Sequence, residues 1–168
     1  MLKDWNKVEQ PTAEEVDKRL ANAKNSLLQQ QIAMKEKKLP VIVLLEGWGA
    51  AGKGSVLGKL IKNIDPRFFK VAVMDEPTEE EKRKPFLYRH FVKIPEAGKF
   101  VFMDSGWMSE VTSQKLSGEL SEEEYKKRIE SIKRFERQLT DNGYLLLKFF
   151  FNIDKKEQKK RLKKLVED

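Results

Sequence analysis

The segment Val41 to Ser55 leaves this chain few folds to choose from. Val41-Ile42-Val43-Leu44-Leu45 runs without a polar break, and Glu46-Gly47-Trp48-Gly49-Ala50-Ala51-Gly52-Lys53-Gly54-Ser55 follows at once. A short, uninterrupted, β-branched run suits a strand buried on both faces of a parallel sheet. Gly47 to Lys53 fits the pattern G-x-x-x-x-G-K, whose spacing has a mechanical reason. The chain must turn sharply from strand to helix with several backbone N–H groups pointing inward. Glycine permits the positive φ angles and the close approach of a phosphate. The helix that follows adds the positive end of its dipole. Lys53 reaches phosphoryl oxygens as a point charge. The residues expected to bind phosphate are therefore Gly47, Gly49, Ala50, Ala51, Gly52, Lys53, Gly54 and Ser55. One departure stands out. The hydroxyl that normally follows the lysine and holds magnesium is absent at Gly54, and Ser55 comes one place later.

Taken in order, Met1 to Gln10 reads as extended, pinned by Trp5. Thr12 and Glu15 make a capping box for a helix that runs to about Lys37 and stops before Pro40. After the loop, Leu57, Leu60, Ile61 and Ile64 share one helical face, ended by Asp65-Pro66. A second strand is expected at Lys70 to Met74, closing on Asp75, and a helix restarts at Pro85, which suits a first helical position. A third strand, Phe100 to Met103, ends at Asp104. Thr112 to Leu120 reads as a loop. Ser121 and Glu124 cap another helix, which ends at Asn142-Gly143. Tyr144 to Phe151 is a fourth strand, and Lys155 to Val166 a basic amphipathic helix. Strand and helix alternate throughout, which together with the glycine-rich loop predicts an α/β, three-layer P-loop NTPase-like fold with a mostly parallel sheet flanked by helices.

In such sheets ligands sit at the carboxyl ends of the strands. Glu46, Asp75, Asp104 and Asp154 all fall at or near such ends, and each alone is as readily a cap or turn former. Asp104 is the strongest of them, because an apolar strand ending in Asp downstream of this loop is the usual place for a magnesium-binding acid. Trp48 and Trp107 stand at strand-to-loop transitions, placed to stack on a base or to pack in the core. His90, the one histidine, has no catalytic partner near it in sequence and reads as a packing or surface residue.

Charge narrows the partner. The chain of 168 residues carries a net charge of +7, which calls for an anionic partner. Two clusters hold the excess: Lys82, Arg83, Lys84 and Arg89, and the last helix from Lys155 to Lys164. No recognition-helix signature or aromatic–basic RNA motif is visible, so a nucleic acid polymer is not expected. Cysteine is absent and a single histidine rules out a histidine metal cluster. No apolar stretch approaches a membrane span, and the first ten residues lack an apolar signal region; a cytoplasmic protein is expected.

Several separated segments, in order, resemble the polyphosphate kinase family 2 proteins. They are Glu46 to Gly54, Pro77-Thr78-Glu79-Glu80-Glu81 with Phe86-Leu87-Tyr88-Arg89, Phe135 to Gly143, Lys148-Phe149-Phe150, and Lys156 to Arg161. The resemblance implies magnesium-dependent phosphoryl transfer between inorganic polyphosphate and a nucleoside mono- or diphosphate. By position it implies that Lys53 binds phosphate, Asp104 binds Mg2+ or orients the acceptor, and Arg89 contacts phosphate. It implies a homo-oligomer. It divides the chain into an N-terminal helical segment at 1–40, an α/β core at 41–154 and the beginning of a basic lid at 155–168, shorter than the family's whole domain. Three departures matter. The family's loop has aspartate where this chain has Gly49, and its second signature, Asp-Arg-Ser-Trp-Tyr, reads Asp104-Ser105-Gly106-Trp107-Met108 here. The third is the early end of the lid. The pattern is most similar to the N-terminal half of two-domain polyphosphate:AMP phosphotransferases, in which the first half has a degraded site. A phosphotransferase domain, a non-catalytic polyphosphate-binding and assembly module, and an ordinary ATP-dependent kinase are the readings in contention, and the excess basic charge fits the last least well.

Overall fold

The structure, a computed structural model, describes residues 11–62 and 64–167; the extended segment expected at Met1 to Gln10, with Trp5, lies outside them. The first helix, α1 (Ala13–Glu36), is started by Thr12. Its hydroxyl accepts the Glu15 N–H at 3.3 Å while the Glu15 carboxylate accepts the Thr12 N–H at 2.9 Å. Most of α1 is solvated, and it meets the core through Leu27 and Met34.

The described strands form one parallel sheet in the order β2-β3-β1-β4, with β1 (Val41–Gly47), β2 (Phe69–Val73), β3 (Phe100–Asp104) and β4 (Leu145–Phe151). β1 is therefore central, as its unbroken apolar sequence requires. Side chains alternate across it. Ile42 and Leu44, with Val101 and Met103 of β3, pack under α5 (Trp107–Leu116) and α6 (Glu122–Asp141). Val41, Val43 and Leu45, with Phe100 and Phe102, face the other way, toward α1 and Leu57 of α2 (Lys53–Ile61). The expected three layers are thus present, and the parallel sheet follows from crossovers that must pass over its faces.

Several boundaries differ from expectation. α2 stops at Ile61, and Ile64, expected on its face, is buried beyond its end. Asp65 accepts the Arg67 N–H at 3.0 Å and opens a short 3-10 turn instead. Thr78 and Glu81 cap α3 (Glu79–Lys82), and the helix expected to restart at Pro85 is the single turn α4 (Tyr88–Phe91). The largest correction concerns Thr112 to Leu120, expected as a loop: residues up to Leu116 belong to α5. Its apolar signal is sparse because only Trp107 and Val111 are buried among polar neighbours. β4 is apolar as expected yet lies at the sheet edge, with Leu145, Leu147, Phe149 and Phe150 exposed. The final helix, α7 (Lys155–Glu167), begins where Asp154 accepts the Glu157 N–H at 2.8 Å.

Candidate active site

β1 delivers the chain to the loop through Gly47, whose φ of 133° turns the backbone away from the sheet. Gly52, with φ of 96°, precedes α2 in the left-handed conformation that glycine adopts without strain. Lys53, the first residue of α2, folds over the loop, and its Nζ donates to the carbonyls of Gly47 at 3.2 Å and Trp48 at 3.4 Å. A lysine so placed sits where phosphoryl oxygens would meet the helix N-terminus.

A cleft of about 770 Å³ opens beside this loop. Ala50 to Ser55 form one wall, and Asp104 and Ser105 from the end of β3 another. Arg161, Lys164 and Leu165 of α7 close it from above. α7 is fastened to the loop: Gln158 Nε2 donates to the Gly49 carbonyl at 3.1 Å and Arg161 to the Ala50 carbonyl at 3.3 Å. Among the described residues three cations, Lys53, Arg161 and Lys164, thus share the cleft with one carboxylate, Asp104. That balance favours a polyanion over a neutral ligand.

The structure sorts the residues singled out in the sequence. Ala50, Ala51, Gly52, Lys53, Gly54, Ser55 and Asp104 line the cleft together, whereas Gly47 and Gly49 line a second hollow on the far side of the loop. Arg89 does not line the cleft. It is buried, donates to the Asp75 carbonyl and stands 3.9 Å from the Glu110 carboxylate. Of the four strand-end acids, Glu46 turns toward α5, Asp154 caps α7 and Asp75 does not line the cleft, which leaves Asp104. His90 is fully buried, and Nε2 meets Glu110 Oε2 at 2.9 Å, a partner 20 residues away in sequence. Trp107 is buried too, donates to Glu136 at 2.9 Å and packs edge-on against His90 and Phe135. Trp48 is half exposed and donates to Asn152 at 2.9 Å. The first basic cluster is divided: Lys82 pairs with Glu79, Lys84 with Glu80, and Arg89 is inside. Sequence reasoning missed Gln158 and Arg161 as individual contacts. Their spacing of three in a basic helix was the available signal, because it puts both on one face.

A strand, a glycine-rich turn and a helix N-terminus, with a strand-end aspartate on the neighbouring strand, define a fold of the P-loop kind. The comparisons give the family. The profile described as Polyphosphate kinase 2 (PPK2) matches residues 10–168, and the chain belongs to that family. It is 30% identical over 151 residues to ADP-polyphosphate phosphotransferase 3 of Rhizobium meliloti, with 90% of this chain and 53% of that protein covered. It is 33% identical over 153 residues to the Polyphosphate:AMP phosphotransferase of Pseudomonas aeruginosa, covering 90% and 31%. The crystal structure of putative polyphosphate kinase 2 from Pseudomonas aeruginosa superposes with a TM-score of 0.89 at 30% identity, over 96% of this chain and 35% of that one. The chain therefore spans about half or less of the length of these relatives. No helix among the described residues is long and apolar enough to cross a membrane.

Proposed function

We propose that this chain is a polyphosphate-dependent nucleotide phosphotransferase domain, accepting AMP or ADP, with a weakened catalytic set. The observation that carries this reading is the cleft lined by Lys53, Arg161 and Lys164 together with the Ala50 to Ser55 loop and Asp104. Inorganic polyphosphate is the anion that such a lidded, basic cleft fits, and the relatives' names point to the same donor. Lys53 and the loop N–H groups hold phosphoryl oxygens in place and offset their charge. Arg161 and Lys164 do the same from the lid side, which we read as the beginning of a basic lid at 155–168 over an α/β core at 41–154. Arg89 enters only indirectly, by bracing the Asp75 segment. We read the working protein as a homo-oligomer, which a strictly monomeric light-scattering mass across concentrations would refute.

The donor set bears on Mg2+. Among the described residues Asp104 is the one carboxylate lining the cleft, joined by the hydroxyls of Ser55 and Ser105. Among the described residues no three acids or histidines cluster as a metal cage. This set fits Mg2+ held mostly by phosphate oxygens and water, with Asp104 as its protein ligand. When bound, the ion screens charge on the transferred phosphoryl group.

A second reading has its own observation. Gly49 brings no carboxylate, and Ser105 brings no guanidinium, where the family pattern has both. Losing one charged transition-state contact lowers rates on the order of a hundredfold, so a polyphosphate-binding half without turnover also fits. One experiment separates the two: nucleotide phosphorylation with Mg2+ and polyphosphate, AMP and ADP supplied separately, with Lys53→Ala as control. Turnover that vanishes in the control supports the enzyme. Polyphosphate binding that depends on Lys53 without turnover supports the binding half. Turnover or binding indifferent to Lys53 would sink both.

A further inference from the structure

We propose that Glu46, together with Gly106 and Ser109, is a positioning device that fixes the distance between the phosphate loop and Asp104. Glu46 is the residue just before Gly47, and by the alternation of the strand it shares the face of β1 that carries Ile42 and Leu44 toward α5. It is 7% exposed. Its Oε2 accepts both the backbone N–H of Ser109, at 3.1 Å, and the Ser109 hydroxyl. Ser109 is the third residue of α5, whose cap residue Gly106 offers no side chain. The N–H of Ser109 is therefore one of the donors a helix start leaves unpaired. Glu46 caps α5 from a different element, and its charge suits the positive helix end.

The room for this contact comes from Gly106. With φ of −87° and ψ of −166°, its backbone is open to any residue, so glycine is not there for its conformation. It is there for space. A Cβ at 106 would lie 2.7 Å from Glu46 Oε1 and 3.0 Å from Leu44 Cδ2. Oε1 is buried without a hydrogen-bond partner, so it occupies the position by geometry rather than attraction. The Glu46 side chain is the end of a flexible group, but it cannot withdraw without giving up Ser109.

The consequence reaches the site through the chain. Asp104 lies two residues before Gly106, and Glu46 is bonded directly to the loop's first glycine. Between them the Ser105 N–H donates to the Leu45 carbonyl at 3.2 Å, and Ser105 itself has φ of 65°. Two ties, Ser105 to Leu45 and Ser109 to Glu46, thus hold the Asp104 turn against the start of the phosphate loop. Removing the second leaves the turn held by the end of the β1–β3 ladder and the Ser105 bond alone.

This inference rests on the reading of the Gly47 to Ser55 loop as a phosphate cradle, and the experiment keeps the two apart. Polyphosphate dissociation constants, with Mg2+ present, and thermal midpoints would be measured for the full chain and for Gly106→Ala, Glu46→Asp, the double variant and Ser109→Ala. Gly106→Ala is expected to weaken polyphosphate binding about tenfold, the loss of one charge-assisted contact. Glu46→Asp draws the carboxylate away from Ser109, the same tie that Gly106→Ala breaks, so the double variant should bind no more weakly than the weaker of the two single variants. Ser109→Ala, benign for a helix, should weaken binding roughly threefold by removing one of the two donors. If Gly106→Ala and Ser109→Ala both melt lower but bind as the parent does, the contact is merely structural and the proposal is overturned. If the parent binds no polyphosphate, the cradle reading fails on its own. The midpoints then still decide the lock, because additive effects at 46 and 106 would overturn it.

Discussion

Gly47 ends the central strand directly against the backbone of β4, and replacing it with alanine should be the most disruptive Gly→Ala change in the chain. The added Cβ would lie 2.3 Å from the Phe151 carbonyl oxygen, 2.7 Å from its nitrogen and 2.9 Å from its carbonyl carbon. These are backbone atoms of β4, held in register because Gly47 pairs with Phe151 and Trp48 N–H donates to the Phe151 carbonyl at 3.2 Å. They cannot rotate aside as a side chain can. Alanine at a φ of 133° is strained by about 1–3 kcal/mol. Parting the end of the β1–β4 ladder loses one or two hydrogen bonds at about 1 kcal/mol each. The expected loss is therefore about 2–5 kcal/mol, a fall of roughly 4–20 °C in thermal midpoint for a chain of 168 residues. Gly58→Ala in α2 is the control, since an added Cβ there meets nothing within 4 Å. It should gain about 0.5–1 kcal/mol from helix propensity. Thermal melts followed by circular dichroism would measure both. A Gly47→Ala loss below about 1 kcal/mol would refute the claim that β4's backbone sets the loop's origin.

Glu110→Ala should destabilise the chain by about 2–3 kcal/mol in urea titrations, because it strands buried His90 and Arg89, while Glu110→Gln, still an acceptor, should lose less. Arg161→Ala should weaken polyphosphate binding several-fold at low salt and flatten its salt dependence, as seen by titration at two ionic strengths, since one cleft cation is removed. The Asp65 carboxyl is held down at about 2, from an ordinary value of 3.8, chiefly by its hydrogen bonds to the Arg67 guanidinium and backbone N–H. A depressed folded value means stabilisation that is complete above about pH 4 and lost as the pH falls toward 2. Asp65→Asn should therefore lower the melting midpoint at pH 6 and leave it nearly unchanged at pH 2; an equal effect at both would count against the pairing.

What the sequence disclosed follows the strength of each physical signal. The loop was legible because glycine spacing, the strand before it and the helix after it all agree, and the capping boxes at Thr12 and Ser121 appear as Ser or Thr with Glu three places on. α5 was not legible because its buried residues are only Trp107 and Val111, and because its cap comes from Glu46, 63 residues before the N–H it accepts. A helix capped by another strand carries no local start signal. Burial of His90 and Arg89 was hidden for the same reason: the carboxylate that permits it, Glu110, comes from α5. Arg89 shows the limit of motif transfer, since a residue in a matching segment lies inside the protein while Arg161 lines the cleft.

The two groups of contacts in this site depend on the sequence in different ways, and that bears on function. The proposed cradle would draw on backbone N–H groups, a helix start and Lys53, all carried by the central strand and its crossover. On that reading it is insensitive to the residues at 49 and 105, because it does not use their side chains. The groups that distinguish a transition state from a bound polyanion are charged side chains, and among the described residues Asp104 is the one acid lining the cleft. Binding energy that is equal in the ground and transition states does not accelerate a reaction. A chain that keeps the cradle and thins the side-chain set should thus lose rate well before it loses affinity. In the phosphorylation assay that ordering appears as a dissociation constant near that of an intact relative and a turnover number depressed by orders of magnitude. Weak binding with a normal turnover number would reverse the argument.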